Sequence, residues 1–143
     1  MIRAKYLSGG VGMRKITEYS IVCVCGALAY CLIELIWRGF THWTMALTGG
    51  ACFLAIYILK REYESTALWK RCLAGCLAIT TAELSVGFVV NILLGWQVWS
   101  YEGQLFNFHG LICPLYTALW FLLCIPANIV CGWLGRLLGR SVR

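Results

Sequence analysis

Read from the N-terminus, the chain alternates between four long apolar runs and short polar junctions. The runs cover about residues 19–37, 42–59, 72–94 and 111–134, each near the roughly 20 helical residues that cross a ~30 Å hydrocarbon core. Lipid gives backbone groups no outside hydrogen-bond partner, and none of the runs alternates with the period of two that marks a barrel strand. The predicted fold class is therefore all-α: a polytopic membrane protein with four transmembrane helices. Residues 17–135 form the transmembrane domain, 1–16 a basic leader, 95–110 an aromatic loop between the third and fourth spans, and 136–143 a basic tail.

The polar junctions differ in charge. Arg3, Lys5, Arg14 and Lys15 precede the first run, Lys60, Arg61, Lys70 and Arg71 lie between the second and third, and Arg136, Arg140 and Arg143 follow the fourth. With four spans all of these fall on one side. Arg38 alone sits opposite, and the loop 95–110 has no Lys or Arg. The positive-inside rule then puts both termini and the junction around residues 60–71 in the cytoplasm. A bacterial cytoplasmic membrane is the expected location.

Composition agrees with the pattern. Apolar residues make up 61% of the 143, charged ones 13%, and the net charge is +6; the mean hydropathy is +0.77. Soluble domains hold roughly a quarter charged residues. Because the basic residues are divided among three junctions, the charge reads as a topology signal with membrane lipids as partners, and nucleic acid is not an expected partner. The first run is expected to stay as a helix rather than to be cleaved: Leu28-Ala29-Tyr30-Cys31 puts a large Tyr where a lipoprotein box needs a small residue.

Nine cysteines fall within or at the edges of the runs, with no CxxC pair, and read as small packing residues rather than metal ligands; no metal or other cofactor is expected. Ala74, Ala78 and Ala82 form a small-residue ridge suited to close helix packing. The stretch SGGVGMRK near the start lacks both the GxxxxGK spacing and the preceding strand of a phosphate loop. Pro126 is expected to kink the fourth span and free a carbonyl toward a cavity.

The intramembrane polar groups carry the chemistry. A charge at the bilayer centre costs about 2.5–3.5 kcal/mol on insertion scales, so an acid there faces the bundle interior, a cavity or a partner. Glu83 lies mid-run, and helical spacing lines it up with Gly87, Asn91 and Gly95. Glu34 and Arg38 stand at i and i+4, able to pair, and a short turn brings His42 and Trp43 near them. Trp96, Trp99, Tyr101 and Asn107 populate the 95–110 loop, which reads either as an interfacial aromatic belt or as a lid or re-entrant segment over the bundle mouth. Trp120 lies on the fourth span. These eleven (Glu34, Arg38, His42, Trp43, Glu83, Asn91, Trp96, Trp99, Tyr101, Asn107 and Trp120) are the candidate binding residues. Glu83, Glu34 and His42 are the candidates for acid–base chemistry.

The order Glu34, Arg38-Gly39, His42-Trp43-Thr44-Met45, Gly49-Gly50, Glu83, Asn91, Gly95-Trp96, Trp99-x-Tyr101, Asn107, Gly110, Ile112-Cys113 and Trp120 resembles the ABC-transporter type IV, or CmpB-like, membrane family, over about residues 17–135. It is also similar to vertebrate transmembrane protein 229. The resemblance implies a transport-associated role, such as a permease-like component. The family commonly reads Trp-Asp-Tyr-Ser where this chain has Trp99-Ser100-Tyr101-Glu102, so an aspartate that held a cation or proton there is replaced by Ser100, with Glu102 the nearest acid.

Two functional classes follow. One is a transport component with a polar pocket open to the extracytoplasmic side, working as a homo-oligomer or beside a partner membrane subunit. The other is a membrane-embedded enzyme or binding protein for a lipid or isoprenoid-like substrate. Polarity fades toward the cytoplasmic half, which fits a blind pocket better than a pore. The orientation is directly testable: a phosphatase fused after residue 143 is expected to be inactive and one inserted in the 95–110 loop active, and the reverse result would invert the topology.

Overall fold

A computed structural model describes the backbone of residues 2–138 and side chains from Arg14 onward. The basic leader's Arg3 and Lys5, most of the glycine-rich stretch, and Arg140 and Arg143 in the tail lie outside the residues whose side chains are described. Four helices follow in order: α1, Ile2–Arg38; α2, Trp43–Glu62; α3, Leu68–Gly87, continued by a π-helical turn, Phe88–Leu93; and α4, Pro114–Leu137. All four are long and apolar enough to span a membrane, the candidate spans being Arg14–Arg38, Trp43–Glu62, Leu68–Leu93 and Pro114–Leu137. The pattern-based spans are thus offset by a few residues. At the fourth, Leu111–Cys113 belong to the loop and Pro114 opens the helix at its first turn. Proline suits that position, since the N–H it lacks has no intrahelical partner there.

α2 is the centre of the bundle. It packs against α1, α3 and α4, α3 packs on α4, and α1 meets no described helix but α2 to a comparable extent. The α1–α2 seam is tight because glycines bring the backbones together. A Cβ on Gly49 would run into Tyr30 Cβ, one on Gly26 into Phe53 Cβ, and one on Gly50 would lie 2.7 Å from the Cys23 carbonyl oxygen. Between α3 and α4 the close approach is at Gly75, where an added Cβ would lie 2.9 Å from Cys124 Sγ. The Ala74, Ala78 and Ala82 ridge is only half-buried; the buried line of α3 is instead Cys72, Cys76, Ile79 and Glu83.

Two apolar clusters result. The larger joins Val22, Ile56, Tyr57, Cys72, Ile79, Cys124 and Cys131 through the middle and the terminal end of the bundle. The smaller, Met45, Val90, Val98 and Trp99, sits at the loop end. All nine cysteines are free thiols. At the terminal end, Tyr57 donates to Glu18 at 2.6 Å and Arg61 donates to Tyr19 at 2.6 Å, tying α1 to α2. Arg71 donates to the carbonyls of Tyr63, Glu64 and Thr66 and to Asn128 Oδ1, fastening the α2–α3 turn to α4.

α4 continues through Pro126 to Leu137 rather than ending there; Pro126 lines a cavity, whereas Leu122, whose carbonyl loses its helical partner to the proline, lines neither cavity and is exposed. The glycine seam gives the first expectation from the structure. Gly50→Ala must push a methyl against a backbone oxygen, which no side-chain rotation relieves, and is expected to cost about 1–3 kcal/mol as overpacking. Thermal unfolding in detergent measures it, and an unchanged midpoint would mean that α1 and α2 are not held this closely.

Candidate functional site

The site is built around Glu83, which is 3% exposed in α3. Trp120 Nε1 of α4 donates to its Oε2 at 2.7 Å, and the Tyr101 hydroxyl donates to its Oε1 at 3.1 Å. A buried carboxylate without such donors would be far more costly. Burial first, and then the nearby Glu83 charge, push the Tyr101 phenol above its ordinary range. It stays protonated and serves as a donor. Glu83 has no salt-bridge partner among the described residues.

Tyr101 reaches Glu83 because the 95–113 segment folds into the bundle end instead of lying across it. Val98 and Trp99 are buried. Trp99 Nε1 donates to the Leu111 carbonyl at 3.1 Å, Tyr101 N to the Gly110 carbonyl at 2.8 Å, and Phe108 pairs with Ile112 in an isolated antiparallel bridge. Asn107 closes the tip, donating to the carbonyls of Glu102 and Gln104 and accepting from Gly110 N. Gly87 makes the insertion possible: a Cβ there would stand 2.8 Å from Trp99 Cζ2. The space that Gly87 leaves on the Glu83 face of α3 is therefore filled by a loop tryptophan.

The predicted Glu83–Gly87–Asn91–Gly95 face is interrupted. The π turn widens the helix by one residue, so Val90 enters the buried line and Asn91 is displaced to the side, a role π turns often play near functional sites. There Asn91 clasps the loop, donating from Nδ2 to the Trp99 carbonyl at 2.8 Å and accepting from Val98 N at 2.7 Å. Gly95, at φ +66, starts the loop, and a Cβ added there would meet nothing within 4 Å.

A second polar cluster lies on α1. Arg38 Nη2 is 2.7 Å from Glu34 Oε1, and Thr41 donates to Glu34 Oε2 at 2.6 Å. Arg38 Nη1 donates to the Val98 carbonyl at 3.2 Å, and its guanidinium lies 4.6 Å from the Phe40 ring centre. The ion pair is close but not aligned as a hydrogen bond, and Nε and Nη2 are both buried without a hydrogen-bond partner. The attraction there is chiefly Coulombic.

Two cavities occupy the gap between α1 and α4. The upper, of about 450 Å³, takes its polar lining from Glu34, Arg38, Ser100, Tyr101, Gln104 and Tyr116. The lower, of about 240 Å³, is apolar, lined by groups such as Phe53, Ile56, Ile79 and Val130, with Glu83 and Thr48 on its wall. Tyr30, Ile33, Trp120 and Leu123 line both. The two are therefore successive parts of one cleft, polar near the loop and apolar below. Each volume is in or near the range of small-molecule sites.

The structure brings Glu34, Arg38, Trp99, Tyr101 and Trp120 to the upper cavity and Glu83 and Trp120 to the lower. It does not bring His42, Trp43, Trp96, Asn91 or Asn107 into either. His42 caps α2, its Nδ1 lying 2.8 Å from Thr44 Oγ1, and makes a triangle of rings with Trp43 and Trp96 at 5.6–6.0 Å. The two tryptophans are exposed, as interfacial anchors are. Glu102 is exposed too, so it does not carry a carboxylate into the cleft in place of the aspartate that Ser100 replaces. Among the described residues no three His, Cys, Asp or Glu side chains gather as a metal site.

Sequence reasoning missed Tyr30 and Tyr116. Tyr30 stands half-buried within the first apolar run, yet it precedes Glu34 and Arg38 by four and eight positions and so shares their helical face, a signal that was available. Tyr116 stacks on Tyr101 with ring centres 4.3 Å apart; nothing in the local sequence announces that pairing.

The family model described as "Putative ABC-transporter type IV" matches residues 16–137. No curated protein and no solved structure matches the chain, and the expected likeness to vertebrate transmembrane protein 229 is not shown.

The Glu34–Arg38 pair yields a quantitative expectation. Arg38→Gln leaves a buried acid without its cation and should destabilise by about 3–5 kcal/mol. The double variant Glu34→Gln, Arg38→Gln should recover most of that loss. A double-mutant cycle on thermal unfolding reads the coupling, and additive losses would show that the pair is not a unit.

Proposed function

Taking as premise that the chain belongs to the putative ABC-transporter type IV family, we propose that it is a transport-associated membrane subunit that holds an amphipathic molecule in the lateral gap between α1 and α4, with the polar end toward the loop. The observation that carries this is the continuity of the cleft: four residues line both cavities, and polarity falls along its length from Glu34 and Arg38 to Phe53 and Val130. An amphiphile lying along the bilayer normal has the same gradient. Since α1 has no comparable contact with α4, the gap between them is the natural side door for a molecule arriving within the membrane.

The gradient counts against two other readings. A pore through one chain needs polar groups to continue past Glu83, and the lower cavity is apolar. An acid–base enzyme built on Glu34 and His42 needs the two to meet; Glu34 is engaged by Arg38 and Thr41, and His42 by its own helix start. The nucleotide-driven step of an ABC system falls to a partner subunit in this reading, because the glycine-rich stretch lacks phosphate-loop spacing. With the positive-inside orientation, the polar end of the cleft faces the extracytoplasmic leaflet.

Photolabelling tests the side door. A lipid carrying an alkyl diazirine, in nanodiscs with the purified chain, is expected to label the cleft residues Ile33, Leu123 and Ala127 above the outward-facing Leu28, Ile36 and Ile129, which are 66–78% exposed. Leu123→Trp should suppress the cleft labels and leave the outward ones. Labelling confined to outward faces would remove the reading.

A further inference from the structure

We propose that the cleft selects an amphiphile with a cationic head, an amine or quaternary ammonium on an alkyl chain; this rests on the lateral cleft described above and adds the charge of its occupant. The first ground is charge. Two carboxylates, Glu34 and Glu83, border the cleft, against the single guanidinium of Arg38, and that guanidinium is already held 2.7 Å from Glu34. Glu83 is left with no cation among the described side chains. Its hydrogen bonds do not cancel this. Trp120 Nε1 can only donate, and Tyr101 also donates, so both oxygens act as acceptors and each keeps a further lone-pair direction.

The second ground is the wall around that charge. Tyr30 and Trp120 have ring centres 6.1 Å apart, Trp120 and Tyr116 6.4 Å, and Tyr116 and Tyr101 4.3 Å. Four rings thus run in sequence from α1 across α4 to the loop; two of them, Tyr30 and Trp120, line both cavities, and Glu83, to which Trp120 donates, stands on the wall of the lower one. Aromatic faces attract a poorly hydrated cation, and the attraction strengthens where water is excluded. A carboxylate set among aromatic rings is the chemistry that recognises alkylammonium groups. An anionic head would meet two acids and one guanidinium that is already paired. The head lies where the two cavities join, at Trp120 and Glu83, and the apolar lining of the lower cavity, Phe53, Ile56 and Val130, takes the alkyl chain.

Binding of radiolabelled decyltrimethylammonium to the purified chain in neutral-lipid nanodiscs, corrected for empty discs, decides it, with decanol and decyl sulfate as competitors. The cation is expected to bind at least about tenfold more tightly than either competitor, the factor that ~1.4 kcal/mol provides. Glu83→Gln should bring the cation within about twofold of the alcohol, and Glu83→Asp should keep most of the preference. Equal competition by the alcohol or the sulfate in the unaltered protein would overturn the cationic assignment and leave the cleft standing. Saturable binding of none of the three would remove both. A preference that survives in a folded Glu83→Gln would also overturn it, because the charge would then come from elsewhere. Should Glu83→Gln fail to fold, the competition in the unaltered chain is decisive by itself: a preference of that size upholds the assignment, and parity overturns it.

Discussion

The architecture depends on how one carboxylate is accommodated where lipid can offer nothing. Glu83 is satisfied by a tryptophan from α4 and a tyrosine from a loop, so three separate parts of the chain are fixed relative to one another by two hydrogen bonds. The loop must enter the bundle for Tyr101 to reach, and that requires space at Gly87 for Trp99 and a clasp at Asn91 for the strand-like stretch around Val98. The π turn supplies the clasp by turning Asn91 off the buried line. An acid that sequence reasoning picked out for its chemistry is thus also the keystone of the loop end.

The same arrangement explains why the cleft is where it is. α2 touches every other helix, and glycines draw α1 against it. A helix held that firmly on one side, with no matching seam toward α4, leaves a lateral gap. Aromatic side chains from both flanks then line the gap without closing it. The polar gradient along it reflects the chemistry of the two ends, an ion pair near the loop and branched aliphatic groups deeper in.

How much of this could be read from the residues follows from the physics. The spans are legible because the hydrocarbon core demands about 20 apolar residues whatever they pack against. Glu34, Arg38 and Glu83 stand out because charge is rare at that depth. The π turn is not legible: it differs from an α turn by one backbone step, and Phe-Val-Val-Asn-Ile-Leu carries no residue that marks it. Helical spacing puts Asn91 on the wrong face for that reason. His42 reads as a partner of the acids because it is near them in sequence, whereas a helix start has its own unsatisfied N–H groups and claims the ring. The ring series from Tyr30 to Tyr101 joins α1, α4 and the loop, and such long-range pairing leaves no periodic trace.

The two acids differ in when their partners are made. Everything that neutralises Glu34 lies between residues 34 and 41, so the first helical hairpin emerges from the ribosome already electrically settled. Glu83 must wait for residues 101 and 120. Until α4 has been synthesised, the third helix presents an uncompensated carboxyl group to the insertion machinery, and the last span is what lets the third come to rest in lipid.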